Sequence, residues 1–448
     1  MNRMSKKLII AFFFLTMIKA FGQNYYMATP EGFGAAVTGG TSTTPVTVST
    51  YTTFKNALQS TSAANSVILV SGTIDCVYTS VTLNNKTIIG LPGARLRNTQ
   101  ITVGNSTTSA ANSGILNIKP GSNNVIIRNL IFEGPGAYDV DGRDNLTNEG
   151  TNVWVDHCEF QDGIDGNFDN KGMADNVTIS WCKFTYLKPA ISGGSGGSND
   201  HRFSNLIGSD SNDAPADGHY SITFKNCYWA NGCKERMPRA RNAELHILNC
   251  YYSTNVSGSR AIGLGGGINN STCYVEKTHF ANIGSVYTSY VSSDGGTVGI
   301  KYMNCLSGGS NVGTVATPTY TTTQMPVNEV SAFLTDATCG AGATLQVTAG
   351  GVVSPSNCTL GINEISSDTS ITISSNLVDD TLKIHFLNNI AGNGKIVIYS
   401  MSGQKVFSSS KYISSDETVE FNLESLPKGL YICKIEIDNK ATNLKFIK

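Results

Sequence analysis

One eight-residue pattern returns through the middle of the chain: VWVDHCEF from Val153, VTISWCKF from Val177, ITFKNCYW from Ile222 and LHILNCYY from Leu245. Alternating apolar residues lead into a small buried-type residue and then an aromatic, the period-2 signature of a strand. Each copy is read as one strand. Cys158 and Cys182 are 24 residues apart and Cys227 and Cys250 are 23 apart, while the interval of 45 from Cys182 to Cys227 fits two turns or one turn with a long loop. Weaker copies lie on either side, VIIRNLIF from Val125, YVEKTHF from Tyr274 and GIKYMNC from Gly299. Strands that return every roughly 23–28 residues, joined by Gly, Ser and Asn, stack like over like in a solenoid. The expected fold is all-β: a right-handed parallel β-helix followed by a small C-terminal β-sandwich.

The chain divides into three expected segments. Residues 1–22 read as an export signal, with Arg3, Lys6 and Lys7 ahead of the apolar run Leu8–Ile18 and the small residues Ala20 and Gly22 at a cleavage site. Residues 23–362 hold the repeat. Residues 363–448 alternate short strands such as LKIHF, KIVIYS and YICKIEI with turn pairs, outside the long repeat. A solenoid must cover its open end, and Thr52–Gln59, read as a short amphipathic helix with Thr53 as N-cap, is the candidate cover. Net charge is −1 and only 15% of residues are charged, so neither a nucleic-acid partner nor a membrane-surface partner is expected. No segment after the signal is apolar enough to span a bilayer.

Eleven cysteines in an exported chain invite a disulfide reading. Five of them, Cys158, Cys182, Cys227, Cys250 and Cys305, share one repeat position and read as small core residues. Cys227/Cys233 and Cys339/Cys358 remain as candidate local pairs.

Two clusters carry potential chemistry. Asp165 and Asp169, in DGNFDNK, share a face if the segment is extended, and Asp144 lies one turn earlier in the stack. Three carboxylates on one face suit Ca²⁺, a hard cation that accepts flexible oxygen geometry; a pair of loop aspartates without a metal is the plainer reading. In CKERMPRAR, Arg236, Arg239 and Arg241 crowd a chain otherwise poor in cations, with Arg239 and Arg241 on one face. The cluster is either a solvated charge patch or a site for anionic sugars, which the arginine fork recognises in bidentate fashion. His157, His246 and His279 read as structural. The glycine-rich stretch Ser192–Asp200 lacks the Gly-Lys-Ser/Thr of a phosphate loop and reads as a loose excursion beside a cleft.

From about Met27 to Cys305 the chain resembles the pectate lyases of polysaccharide lyase family 1, through EGFGAAVTGG, KTIIG, VWVDHCEF, DGNFDNKGMADNVTISWCKF, ITFKNCYW and ERMPRARNAELHILNCYY taken in order. The resemblance implies β-elimination on polygalacturonate with Ca²⁺ held by Asp144, Asp165 and Asp169, Arg236 as catalytic base and Arg241 on a substrate carboxylate. Arg239 stands beside it as a further substrate-binding residue. The family's substrate lysine precedes a Leu-Ile-Gly stretch; DHRFSNLIGSD has Arg202 and Phe203 there, and Lys188, ahead of the glycine-rich loop, is the other candidate. The last segment, through KIVIYSMSGQKV, LESLPKGLYICKIE and a basic end, resembles the C-terminal sorting domain of type IX secretion. That implies a tail that directs passage through the type IX machinery to the outside of the cell or its surface; the enzyme is expected to be a monomer. The alternatives are a pectin lyase, a polygalacturonase with Asp165 and Asp169 as acid and base, and a non-catalytic pectin-binding β-helix.

Overall fold

The computed structural model describes residues 25–448 apart from 102–112, 141, 195, 357–370, 374–377, 379, 388–390, 401–403 and 438–439. The expected signal segment, residues 1–22, lies outside them. The chain divides into two compact units, the first ending at Thr359 and the second beginning at Leu360.

In the first unit eight coils each contribute one strand to each of three parallel sheets, and the strands Val46–Val48 and Val298–Met303 extend one of the three from eight strands to ten. One coil, for example, runs through Thr151–Asp156, Glu159–Gln161 and Phe168–Asn170, and the next through Asp175–Ser180, Lys183–Thr185 and Leu206–Ile207. Parallel register sets Val153 beside Val177, and Val177 beside Ile222. The 45-residue interval is thus a single coil with its extra length in loops. This is the parallel β-helix that the repeat predicts.

The repeated octets are not single strands. Each breaks where one residue takes a left-handed backbone: Asn129, His157, Trp181, Asn226, Asn249 and Lys277 have φ between 45° and 58°. Asparagine tolerates that conformation better than most residues, and the bend turns the chain from the ten-stranded sheet into the next. Alternation alone could not reveal the corner, because the residues on both sides of it remain extended.

Behind the corner the interior is a column of rings. Phe132, Phe160, Phe184, Trp229, Tyr252 and Phe280 stack in order, with centroids 4.4–5.4 Å apart and planes within 18°. Beside it, Cys158, Cys182, Cys227 and Cys250 are fully buried free thiols, as expected of small core residues. Burial pushes the Cys182 and Cys227 thiols well above their usual range. The Cys227–Cys233 pairing does not form, because the two sulfurs face different carbonyls, Ile179 O at 3.3 Å and Phe184 O at 3.2 Å. Cys339 is disulfide-bonded; its expected partner, Cys358, is outside the described residues.

The helix Tyr51–Gln59 buries Phe54, Ala57 and Leu58 against Val48, Ile68 and Val70 at the start of the stack, where the cover was expected. Its N-cap is Thr50 rather than Thr53. Thr50 has extended backbone angles and exchanges hydrogen bonds with Thr53, which occupies the N3 position of a capping box.

In the second unit a three-stranded antiparallel sheet (Ile371–Ile373, Thr381–Phe386, Thr418–Asn422) and a four-stranded one (Gly392–Ser400, Lys405–Ile413, Leu430–Ile437, Lys440–Ile447) share one apolar core. Leu382, Ile384 and Phe386 pack there with Ile396, Ile398, Cys433 and Ile435. Two antiparallel sheets over one core make the small sandwich that the alternating strands predict.

Candidate active site

Successive coils place an acidic and a basic group along one eight-stranded sheet. On the acidic side, strand Leu146–Asn148 pairs with Phe168–Asn170 so that Thr147 stands opposite Asp169. Asp144, just ahead of its strand, accepts a hydrogen bond from Thr147 Oγ1 at 2.9 Å. Lys171 Nζ lies between the two carboxylates, 3.0 Å from Asp144 Oδ2 and 3.2 Å from Asp169 Oδ2. Burial, and then the charge of Asp144, push the Asp169 carboxyl up to about 7. Gly166 backs both groups: a Cβ there would sit 2.5 Å from Asp144 Oδ1 and 3.1 Å from Asp169 Oδ1.

Asp165 does not join them. Only Phe168–Asn170 is strand, so the four-residue spacing does not align Asp165 with Asp169; Asp165 lies in the preceding bend with its Oδ1 3.2 Å from His201 Nδ1. Among the described residues, no three His, Cys, Asp or Glu side chains converge closely enough to hold a metal as they stand.

The basic side comes from the strand Arg239–Ala240 and the turn before it. Arg236 adopts a left-handed backbone (φ 58°) and lays its guanidinium 4.1 Å above the Phe203 ring. Its charge acts on both Asp169 and Arg241. Arg239 and Arg241 share a face, as alternation predicts: both reach Asp294, Arg239 through Nη2 at 3.1 Å and Arg241 through Nε at 3.0 Å. Arg241 also donates through Nη1 to Gly208 O at 2.9 Å. Burial, followed by the neighbouring charge of Arg239, draws the Arg241 guanidinium below its ordinary range.

The two other sugar-binding candidates differ. Lys188 is 41% exposed; its Nζ donates to Gly134 O at 3.0 Å and stays 3.8 Å from the nearest Asp162 oxygen. Arg202 is clamped by Asp200 in two parallel contacts of 2.7 and 2.6 Å, which leaves it less free to meet a ligand. The glycine-rich loop is tied down rather than loose: Asp139 accepts the backbone N–H groups of Gly194 and Ser198 at 3.1 and 3.0 Å. The three histidines are held inside the scaffold: His157 stacks on Trp181, His246 bonds to Tyr320 and Glu276, and His279 packs against Tyr251.

Sequence reasoning missed Lys171 and Asp294. Lys171 had a signal, since it is two residues beyond Asp169 and so shares its face. Asp294 had none: a separate coil brings it to Arg241.

A pectate lyase sequence profile matches residues 6–323. The chain belongs to the pectate lyase family. Residues 376–448, in the second unit, match a secretion system C-terminal sorting domain. A pectate trisaccharide-lyase of Thermotoga maritima is 35% identical over 209 residues, 43% of this chain and 48% of that one, so the chain spans about half the length of this curated relative. A probable pectate lyase B of Aspergillus flavus is 28% identical over 308 residues, covering 66% of this chain and 80% of its own. Among solved pectate lyases, a mutant of the Bacillus subtilis protein superposes with a TM-score of 0.52 at 19% identity over 70% of this chain and 96% of that one, which supports the fold. Among the described residues no helix is long and apolar enough to cross a membrane.

Proposed function

We propose that this family member is an exported, Ca²⁺-dependent pectate lyase that cleaves polygalacturonate by β-elimination. The observation that carries the reading is the buried Asp144–Asp169 pair set along one sheet from the strand Arg239–Ala240, which Arg236 and Arg241 flank. The acidic pair fits Ca²⁺: both are hard oxygen donors, Gly166 leaves the space against them clear, and the two carboxylates share the single ammonium of Lys171. Asp144 and Asp169 are the proposed ligands, with Asp165 at the neighbouring bend as the third. When bound, Ca²⁺ supplies Lewis-acid withdrawal of electrons from the sugar carboxylate, which acidifies the α-proton at C5.

The chain's own groups do the rest. Arg241, pinned on Nε and Nη1, offers its remaining nitrogen to a uronate carboxylate and orients the ring. Arg239 supports that binding from the same face, with Lys188 and Arg202 as outlying cationic contacts. Arg236 takes the C5 proton; the C–H electrons form the C4–C5 double bond, the C4–O bond breaks, and the departing oxygen is protonated from water. A free guanidinium stays charged to about pH 12, so a base of this kind gives a rate that climbs through the alkaline range. The sorting-domain match supports export through type IX secretion to the surface or beyond, with the domain boundary at 362/363 and residues 1–22 as the inner-membrane signal.

The test follows absorbance of the unsaturated uronate while the signal-free chain acts on polygalacturonate, first with Ca²⁺ and then with excess chelator. A rise that chelator abolishes is expected. Shortening of the polymer without a rise would mean hydrolysis, and no shortening at all would leave a binding module.

A further inference from the structure

One buried carboxylate outside the proposed reaction stands beside its basic group. Asp294 ends the short helix Val291–Asp294 and is 7% exposed, yet its oxygens meet two arginines of an earlier coil. Oδ2 is 3.0 Å from Arg241 Nε and 3.1 Å from Arg239 Nη2, and Oδ1 is 3.2 Å from that same Nη2. The coil between is shaped to admit it. A Cβ on Gly265 would lie 2.2 Å from Asp294 Oδ2, and one on Gly263 would lie 2.7 Å from the ring of Tyr290, over which Arg239 packs at 4.1 Å. Glycine at 265 is therefore required by the approach of the carboxylate.

The contacts have a directional result. A guanidinium has three nitrogens, and Arg241 commits Nε to Asp294 and Nη1 to the Gly208 carbonyl. Nη2 alone has no protein partner among the described residues. Without Asp294, two neighbouring cations would repel each other and Arg241 would be free to rotate about its last torsions. Burial alone would raise the Asp294 carboxyl, but the hydrogen bonds and charges of Arg239 and Arg241 hold it below the usual range, so it stays anionic wherever the arginines are charged.

We propose that Asp294 is a positioning residue for substrate recognition: it fixes Arg241 so that one edge of the guanidinium meets a uronate carboxylate, and it turns Arg239 from a competing cation into a support. This rests on the proposed function, in which Arg241 binds the sugar acid.

The experiment uses the full chain with Asp294→Asn, Gly265→Ala and Arg241→Lys, and the double variant Asp294→Asn/Arg241→Lys. Loss of a charge-assisted hydrogen bond predicts a KM for polygalacturonate raised about tenfold or more by Asp294→Asn, with kcat within about threefold. Gly265→Ala, which expels the carboxylate without touching its charge, should reproduce the shift. In the Arg241→Lys background, Asp294→Asn should cost little further, because both changes act through one contact. An unchanged KM, an equal loss in kcat and melting temperature without a KM shift, or full additivity in the double variant would each overturn the inference. Trigalacturonate binding, measured by calorimetry, separates it from the reading beneath. If the parent chain binds this probe but forms no unsaturated product, the lyase reading fails while weaker binding by Asp294→Asn still upholds the positioning role. If the parent does not bind it, both fall.

Discussion

A single coil holds two deeply buried aspartates of opposite character. Asp156, at the end of the strand Thr151–Asp156, is matched on every side: Arg128 at 2.7 Å, His157 Nδ1 at 2.8 Å and a hydrogen bond from Ser180 Oγ at 2.6 Å. Burial alone would raise its carboxyl, but the charges of His157 and Arg128 and their hydrogen bonds carry it below the usual range. Asp169, thirteen residues later, has one lysine to share with a second carboxylate and is pushed up to about 7. The coil thus contains one carboxylate satisfied by the scaffold and one that shares a single lysine with a second carboxylate. Under-matched buried charge is where a ligand can be gained; fully matched charge serves the fold.

The contrast breaks hardest at Arg236. Arg236→Lys should reduce turnover by about 10²–10⁴-fold, with little change in unfolding followed by tryptophan fluorescence, since all three tryptophans, Trp154, Trp181 and Trp229, lie in the β-helix. An active Arg236→Lys would remove the arginine from the role of base. Next comes Asp156→Asn, which strands the buried Arg128 charge and should lose about 3–5 kcal/mol of stability, read as a lower denaturant midpoint. Asp169→Asn should do the reverse: it removes a like-charge neighbour of Asp144, so the midpoint should move by less than about 1 kcal/mol while lyase activity and its response to added Ca²⁺ collapse. If both asparagine variants destabilised equally, the distinction between the two aspartates would be gone.

The smallest effect sharpens the same comparison through pH. Because the folded Asp156 carboxyl lies below its unfolded value of about 3.9, its stabilisation is complete above that value and is lost as pH falls through the lower folded one. The stability gap between the parent and Asp156→Asn should therefore be flat from neutrality to about pH 5 and shrink only in stronger acid. A gap that closes near neutrality would mean that the Asp156 carboxyl does not control the cluster.

These residues also show where sequence stops being informative. The stack was readable because its period is carried by large side chains: Phe160, Phe184, Trp229 and Tyr252 mark successive coils whatever lies between them. The arginine face was readable because Arg239 lies in a strand and Arg241 directly follows it. The shared face expected of Asp165 and Asp169 does not form, since a spacing of four aligns side chains only inside a strand and the strand here begins at Phe168. Asp294 stayed hidden because its partnership with Arg241 spans a whole coil and depends on a missing side chain at Gly265. Long-range contacts that consist of space left open leave no periodic trace.

The single long coil between Cys182 and Cys227 has an evolutionary consequence. It keeps the ring spacing of its shorter neighbours, with Phe184 and Trp229 stacked 5.4 Å apart, although the coil is nearly twice the usual length and its loops include Lys188, His201, Arg202 and Phe203. A lineage can lengthen one such loop, try new sugar contacts on it and discard them without renegotiating the column beneath. Variation in substrate preference is then a matter of insertions at a few corners, and the architecture that tolerates them is inherited unchanged.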